Sequence, residues 1–364
     1  MRITMRIKFI LFITIFLLAN RFASAQFVQA YEDFRKYFYV FENGMPHQLE
    51  SQPVKSFAVS GESVVYVDNA TNLKGYYHGE KFDLGEGNNL QFKSSRKLIT
   101  YQRDQALYVF DNGKSKRLTS FLKEYALGDE IVIFKEDNLD ILKAYYNGQI
   151  YELEYTLVSK LGNYKVGDNA VAFINGSHYF KVFTNGELLE LEQWEPKDFV
   201  CGRDMVAYVD GSTQTLKLYK NGKVLTLENF PPLSMQMGDS VFAYVSDENA
   251  FKVYTNGKLL KVESYVPDSY TVKDNICAFF TENKLQIMFQ GTRFELENFN
   301  PKSYQISGSN IAWLDNSGRL KMFDNGKIKT VTTDIVSTYT LNGDVLKYTG
   351  GDGYIHIYYK GKNF

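Results

Sequence analysis

An all-β array of nine or ten four-stranded units is the fold class this sequence predicts, and three observations carry it. Gly44, Gly79, Gly113, Gly148, Gly186, Gly222, Gly257, Gly291, Gly326 and Gly361 recur at steps of 34 to 38 residues. Spacing that regular demands a repeat architecture. An aromatic residue or Met stands three residues before each glycine, from Phe41 through Tyr254 to Tyr358, and Leu or Val stands five after it from Leu49 to Val331. The residue before the glycine is usually Asn, and Asn-Gly accepts positive φ at both centres of a two-residue β-hairpin turn.

A second hairpin precedes this one in each unit, as in YKVGDNAVAFING at 164 to 176, and carries two aromatics nine residues apart, such as Phe57 with Tyr66 and Tyr304 with Trp313. Each complete unit therefore reads as four short antiparallel strands. No segment after the N-terminal leader has helical periodicity long enough to compete. A lone four-stranded sheet would expose its aromatics, so each unit must press both faces on neighbours. Radial stacking does this, and ring closure removes the two end faces.

In period and strand pattern the chain resembles β-propeller repeat proteins over nearly its whole length, although neither a WD dipeptide nor a kelch double glycine is present. The resemblance implies a single propeller domain, residues 26–364, of nine or ten short blades. Two tandem rings or an open superhelical array are the alternatives. Residues 28 to 44 match 241 to 257, so the first unit reads as second, third and fourth strands only. The last unit has three strands and almost no fourth, and three plus three do not make one blade of four.

Residues 1–25 read as a secretory signal peptide: Arg2, Arg6 and Lys8 precede the apolar run Phe9 to Ala19, and Ala23-Ser24-Ala25 supplies small residues before Gln26. That run is too short for a comfortable membrane span. Removing its four cations from the 41 Lys and Arg, against 42 Asp and Glu, leaves a mature charge near −5, which disfavours nucleic acid as a partner. Cys201 and Cys277 occupy different slots of the repeat and read as small core residues. Lys-, Asn-, Tyr- and Phe-rich exported chains of this kind resemble those of Bacteroidetes-type bacteria, which implies a periplasmic site, with secretion as second choice.

Chemistry is sparse. His47, His78, His178 and His356 fall at unrelated positions of the unit, so neither a metal-ligand spacing nor a His-based dyad emerges, and no cofactor motif is present. LGEGNNL at 84 to 90 is a connecting loop and not a nucleotide site. Asp137, Asp210, Asp247 and Asp315 lie between second and third strands, where turn chemistry accounts for them without calcium. Polar residues on first strands, Lys93, Lys165, Gln236, Thr271, Gln305 and Thr340, border the expected channel. They include no paired carboxylates, so an enzyme is the less favoured reading.

Two departures from the repeat are candidates for binding a partner. Lys93, Arg96, Lys97, Arg103, Lys114, Lys116 and Arg117 crowd one unit whose first turn reads SRK where others read GDE, GDN or GDS. Following units are acidic at Glu152, Glu154, Glu187, Glu190, Glu192 and Glu195, which makes a bipolar rim suited to an oriented partner. Trp194, Phe230, Tyr265 and Phe299 recur after the fourth strand beside Pro196, Pro231, Pro267 and Pro301. Four matching loops favour an inter-blade wedge over a recognition surface. The sequence thus points to a non-enzymatic periplasmic interaction protein, docking on or plugging an outer-membrane channel or secretion translocon as type IX-like accessory subunits do. The alternative is a glycan or small-ligand module, or an enzyme, using the channel mouth.

Overall fold

The computed structural model describes residues 27–137, 139–155 and 164–364; the leader, residues 1–25, lies outside them. Among the described residues the strands form ten antiparallel sheets, nine of four strands and one of three, each sheet built from consecutive strands. The blades are residues 29–50, 56–86, 90–119, 122–155, 164–192, 198–228, 234–263, 269–297, 303–332 and 338–363, here blades 1 to 10. All ten glycine turns have the expected geometry, as at Asn256 and Gly257 with φ of 50° and 74°.

The paired aromatics of the first hairpin are direct cross-strand partners, including Phe57 with Tyr66, Tyr270 with Phe279 and Tyr304 with Trp313. The aromatic before each turn is buried, from Phe41 to Phe323. Core clusters run across blade boundaries: Val241, Ala243, Phe251 and Val253 of blade 7 pack with Val272, Cys277, Phe279 and Met288 of blade 8. No blade has a core of its own, so apolar burial is what stacks them. Cys201 and Cys277 are buried free thiols.

A polar clamp adds direction to this packing. Glu192, ending the fourth strand of blade 5, accepts hydrogen bonds from Tyr208 Oη and Lys217 Nζ of blade 6, both at 2.8 Å. Glu228 does the same with Tyr244 at 2.6 Å and Lys252 at 2.5 Å, and Glu50 with Tyr66 at 2.9 Å and Lys74 at 2.8 Å. In blade 9 Trp313 Nε1 replaces the phenol, 3.3 Å from Glu297, beside Lys321 at 2.6 Å. Burial first, and then the carboxylate, hold the Tyr66, Tyr208 and Tyr244 phenols far above their ordinary pKa, so they remain donors. Each clamp is charge-assisted and part-buried, and charge-assisted bonds are roughly twice as strong as neutral ones.

Ring closure uses neither a shared sheet nor a composite blade. Blade 1 begins with strand Gln29–Glu32, the equivalent of second strands elsewhere, and blade 10 ends with the short strand Lys362–Asn363. Phe41 packs on Val345 and Ile357 and makes edge-on contacts with Tyr359 and Phe364. Side chains of blade 10 take carbonyls at the start of blade 1 and in the first turn of blade 2. Asn342 Nδ2 donates to Val28 O and Ser60 O, both at 2.7 Å, and Lys347 Nζ donates to Ala30 O at 2.9 Å. A buried carbonyl without a donor is costly, so these bonds substitute for a strand ladder. Asn342→Ala, which strips two carbonyls at once, should lower unfolding free energy by about 1–3 kcal/mol in urea denaturation.

Candidate functional site

Antiparallel order puts the first-to-second and third-to-fourth turns of every blade on one face. Among the described residues, the second-to-third turns and the connections to the next blade lie on the other. Trp194, Phe230, Tyr265 and Phe299 belong to that second face, and they are 42%, 61%, 49% and 64% exposed. They do not wedge between blades as their repetition suggested. Pro196 and Pro267, two residues further on, take the buried seat, and Val336 takes it in the last such loop. A proline there fills the seam with its ring and leaves the aromatic outside; only Trp194 is tethered, its Nε1 donating to Asp210 at 3.1 Å. Leu233, Val266 and Ile335 extend the exposed apolar arc along the same loops. A cleft of about 650 Å³ lies between the Tyr265 and Phe299 loops, lined by Asp268, Phe280, Glu282, Pro301 and Tyr304 among others.

The basic residues of blade 3 are not brought together as one patch. Lys93 is on the first strand, its Nζ 4.2 Å from the centre of the Tyr125 ring. Arg103, at the opposite face, bonds the Glu86 carbonyl. Lys114, Lys116 and Arg117 alone share a strand, the exposed outer Lys114–Thr119. The acidic set divides as well: Glu154 and Glu192 are engaged between blades, whereas Glu152, Glu187 and Glu190 are exposed. On the channel wall, Gln236 and Gln305 use both ends of their amides on the next blade's first strand. Gln305 donates to Tyr339 O at 2.9 Å and accepts from Leu341 N at 3.0 Å. They complete strand edges and are not free to hold a ligand.

Arg96 and Lys97 lead to the feature that sequence reading missed. Arg96 occupies the second position of its first turn, and the same position in blades 4 to 8 holds Asp129, Asp168, Arg203, Asp239 and Asp274. These turns meet at the axis. Arg96 Nε is 2.5 Å from Asp129 Oδ2, its Nη2 contacts Asp239 four blades away, and Asp168 and Asp274 lie 3.6 and 3.9 Å from it. Arg203 pairs with Asp168 and, at 2.9 Å, with Glu130. The Arg96 guanidinium thus ties blade 3 to blades 4, 5, 7 and 8.

Glycine makes the convergence possible. The turns touch backbone to backbone, with Glu130 N donating to Asp168 O at 2.8 Å, Arg203 N to Asp239 O at 2.9 Å and Asp239 N to Asp274 O at 2.6 Å. A Cβ on Gly167 would stand 2.5 Å from Gly202 O, and one on Gly202 would overlap Gly238 O. Hence the Gly-Asp pairs: glycine permits close approach and the next residue reaches inward. Burial, followed by repulsion from Asp239 and Asp129, pushes the Asp168 carboxyl up to about 8 despite both arginines. Asp239 is pushed up to about 6, burial and its acidic neighbours outweighing Arg96.

Ten blades, closed end to end, agree with a family match over nearly the whole chain: the 10-bladed beta propeller domain matches residues 22–364. The chain belongs to that family. No curated protein matches this ten-bladed propeller. Among solved structures it is similar to the computationally designed Ika8 protein, at 16% identity over 74% of this chain and 95% of that one, with a TM-score of 0.36. It is also similar to human WBSCR16, at 11% identity over 64% and 88% of the two chains and a TM-score of 0.33. The CRINKLY WD40 ectodomain of the Arabidopsis thaliana receptor kinase ACR4 matches at 9% identity over 66% and 96%, with a TM-score of 0.35.

The signal for the axial cluster was present in the sequence as the GDE, GDN and GDS turns and their one basic counterpart. Their meeting depends on ring closure, which no local pattern encodes. Arg96→Met should cost about 3 kcal/mol of stability by leaving several buried carboxylates without their cation. Lys114→Met on the outer strand should change stability by less than about 0.5 kcal/mol. Parallel denaturation of the two variants checks the contrast.

Proposed function

We propose that this ten-bladed propeller is a non-enzymatic, exported interaction protein that holds a protein partner on the face carrying Trp194, Phe230, Tyr265 and Phe299. The observation that carries this reading is the run of exposed large apolar side chains at one loop position in successive blades. A single exposed aromatic needs no explanation, but a contiguous arc does. Aromatic anchors with polar neighbours are the usual composition of an interface centre, and the cleft beside Phe299 offers a seat for a partner side chain. Lys114, Lys116 and Arg117 on the rim would steer an acidic partner, with Glu152, Glu187 and Glu190 setting orientation. The leader-like residues 1–25 support export, and a periplasmic partner such as an outer-membrane channel or secretion translocon suits a rigid ring with one adhesive face.

Pull-down from a membrane extract tests this. The wild type should recover a stoichiometric protein, and replacing Trp194, Phe230, Tyr265 and Phe299 by Ser should reduce recovery at least about tenfold without lowering Tm. Equal recovery by the variant, or none by the wild type, overturns it. Reversing Lys114, Lys116 and Arg117 to Glu should weaken the association strongly at low salt and less at high salt, measured as Kd at two ionic strengths.

A further inference from the structure

One lysine breaks the repeat inside the seam that closes the ring. Lys347, on the second strand of blade 10, pairs across its hairpin with Thr340. At the same register blades 5 to 9 hold alanine, Ala172, Ala207, Ala243, Ala278 and Ala312, and blades 2 to 4 hold Val65, Thr100 and Ile133. All of these are buried and none is charged. Packing at this position therefore asks for a small or apolar side chain, and the repeat gives no structural reason for an ammonium. Room for one exists because blade 1 has three strands among the described residues: Lys347 reaches the Ala30 carbonyl from the side on which other blades carry a first strand.

A cavity of about 610 Å³ lies there, lined by Gln29, Phe57, Val59, Thr340, Asn342 and Lys347 among others. Lys347 brings it a charge that no described carboxylate answers. Its Nζ donates to Ala30 O at 2.9 Å, whereas the clamp lysines Lys74, Lys181, Lys217, Lys252 and Lys321 each meet a glutamate. A carbonyl takes a hydrogen bond from an ammonium without neutralising it, and a buried charge left unpaired is costly. Burial accordingly pushes the Lys347 amine below its ordinary pKa, with no acid to offset it. The two acids that line the cavity, Asp129 and Asp274, face Arg96 instead. An ammonium has three donors, so two remain after Ala30. The exposed hydroxyls of Thr340 and Ser94 line the same cavity and hold no hydrogen bond to a described residue as donors.

We propose that this cavity binds a small oxyanion, the carboxylate or phosphate group of a small molecule, with Lys347 as its counter-ion and the Thr340 hydroxyl as a further donor. The volume falls in the range of small-molecule sites. One uncompensated cation among neutral donors suits a group of one or two negative charges and not a polyanion. The anion would complete the charge balance of Lys347 at the seam between blades 10 and 1, so its binding should stabilise the closed ring. The site lies apart from Trp194, Phe230, Tyr265 and Phe299, and it stands or falls independently of a partner on the loop face.

Isothermal titration calorimetry of the full chain with sodium phosphate and, separately, sodium acetate, at an ionic strength held constant with sodium chloride, tests the site. The expected result is saturable binding of one anion per chain, the tighter of the two probes naming the group. Lys347→Gln keeps an N–H for the Ala30 carbonyl and removes the charge. It should weaken binding at least about tenfold, the worth of a lost charge-assisted hydrogen bond. Lys258→Gln, on the outer strand Lys258–Glu263 of blade 7, should leave binding unchanged. Thermal unfolding gives a second readout: phosphate should raise the Tm of the wild type more than that of Lys347→Gln, and the difference removes the stabilisation that phosphate gives any folded protein. Saturable binding of neither probe by the wild type, or equal binding with an equal gain in Tm in Lys347→Gln, overturns the proposal.

Discussion

Glu130, Arg203 and Asp239 each donate a backbone amide across a blade boundary to the carbonyl of another first turn, and the ring depends on that contact. It requires glycine on the approaching backbone, and Gly128, Gly167, Gly202 and Gly238 supply it in four consecutive blades. With the turns in contact, the next residue of each has nowhere to point but inward, so its side chain enters a crowded axis. The charge pattern there is a consequence of the packing. Acids alone would repel one another, and Arg96 together with Arg203 holds them at close quarters.

The two faces of the ring are therefore unlike. One is drawn together by backbone bonds and ion pairs around the axis. On the other, the connections holding Pro196, Pro267 and Val336 seat that residue in the seam and leave Trp194, Tyr265 and Ile335 outside. Between the faces, the Glu–Tyr–Lys clamps and the shared aromatic cores fix each blade against the next. A partner held on the loop face would meet a surface whose backbone is supported from beneath, which limits the ordering cost of association.

Most of the fold was legible in the sequence because repeats announce themselves by period. The Asn-Gly turns, the aromatics nine apart and the defective ends at residues 28 and 364 all appear in the structure where the pattern put them. Blade count required three-dimensional closure: Phe41 packing on Ile357 and Asn342 bonding Val28 join residues some three hundred positions apart. The candidate surfaces were less legible for the same reason. Lys93, Arg96 and Lys114 are near in sequence, but a blade spreads its strands from axis to rim and separates them. Asp129, Asp168 and Asp239 are far apart in sequence, and the ring brings them together. The loop aromatics were recognised as a set, but their exposure turned on which of two neighbours, ring or proline, fits the seam.

Native-state hydrogen exchange at the first turns is the most direct measurement of whether this belt carries the ring. The Glu130, Arg203 and Asp239 amides sit at turn tips, where exchange is ordinarily fast, yet each is bonded across a blade boundary. If the belt holds the ring together, these amides exchange only through global unfolding, as slowly as those of buried strands such as Val241–Val245. Exchange as rapid as at the outer Asn256-Gly257 turn would contradict the account.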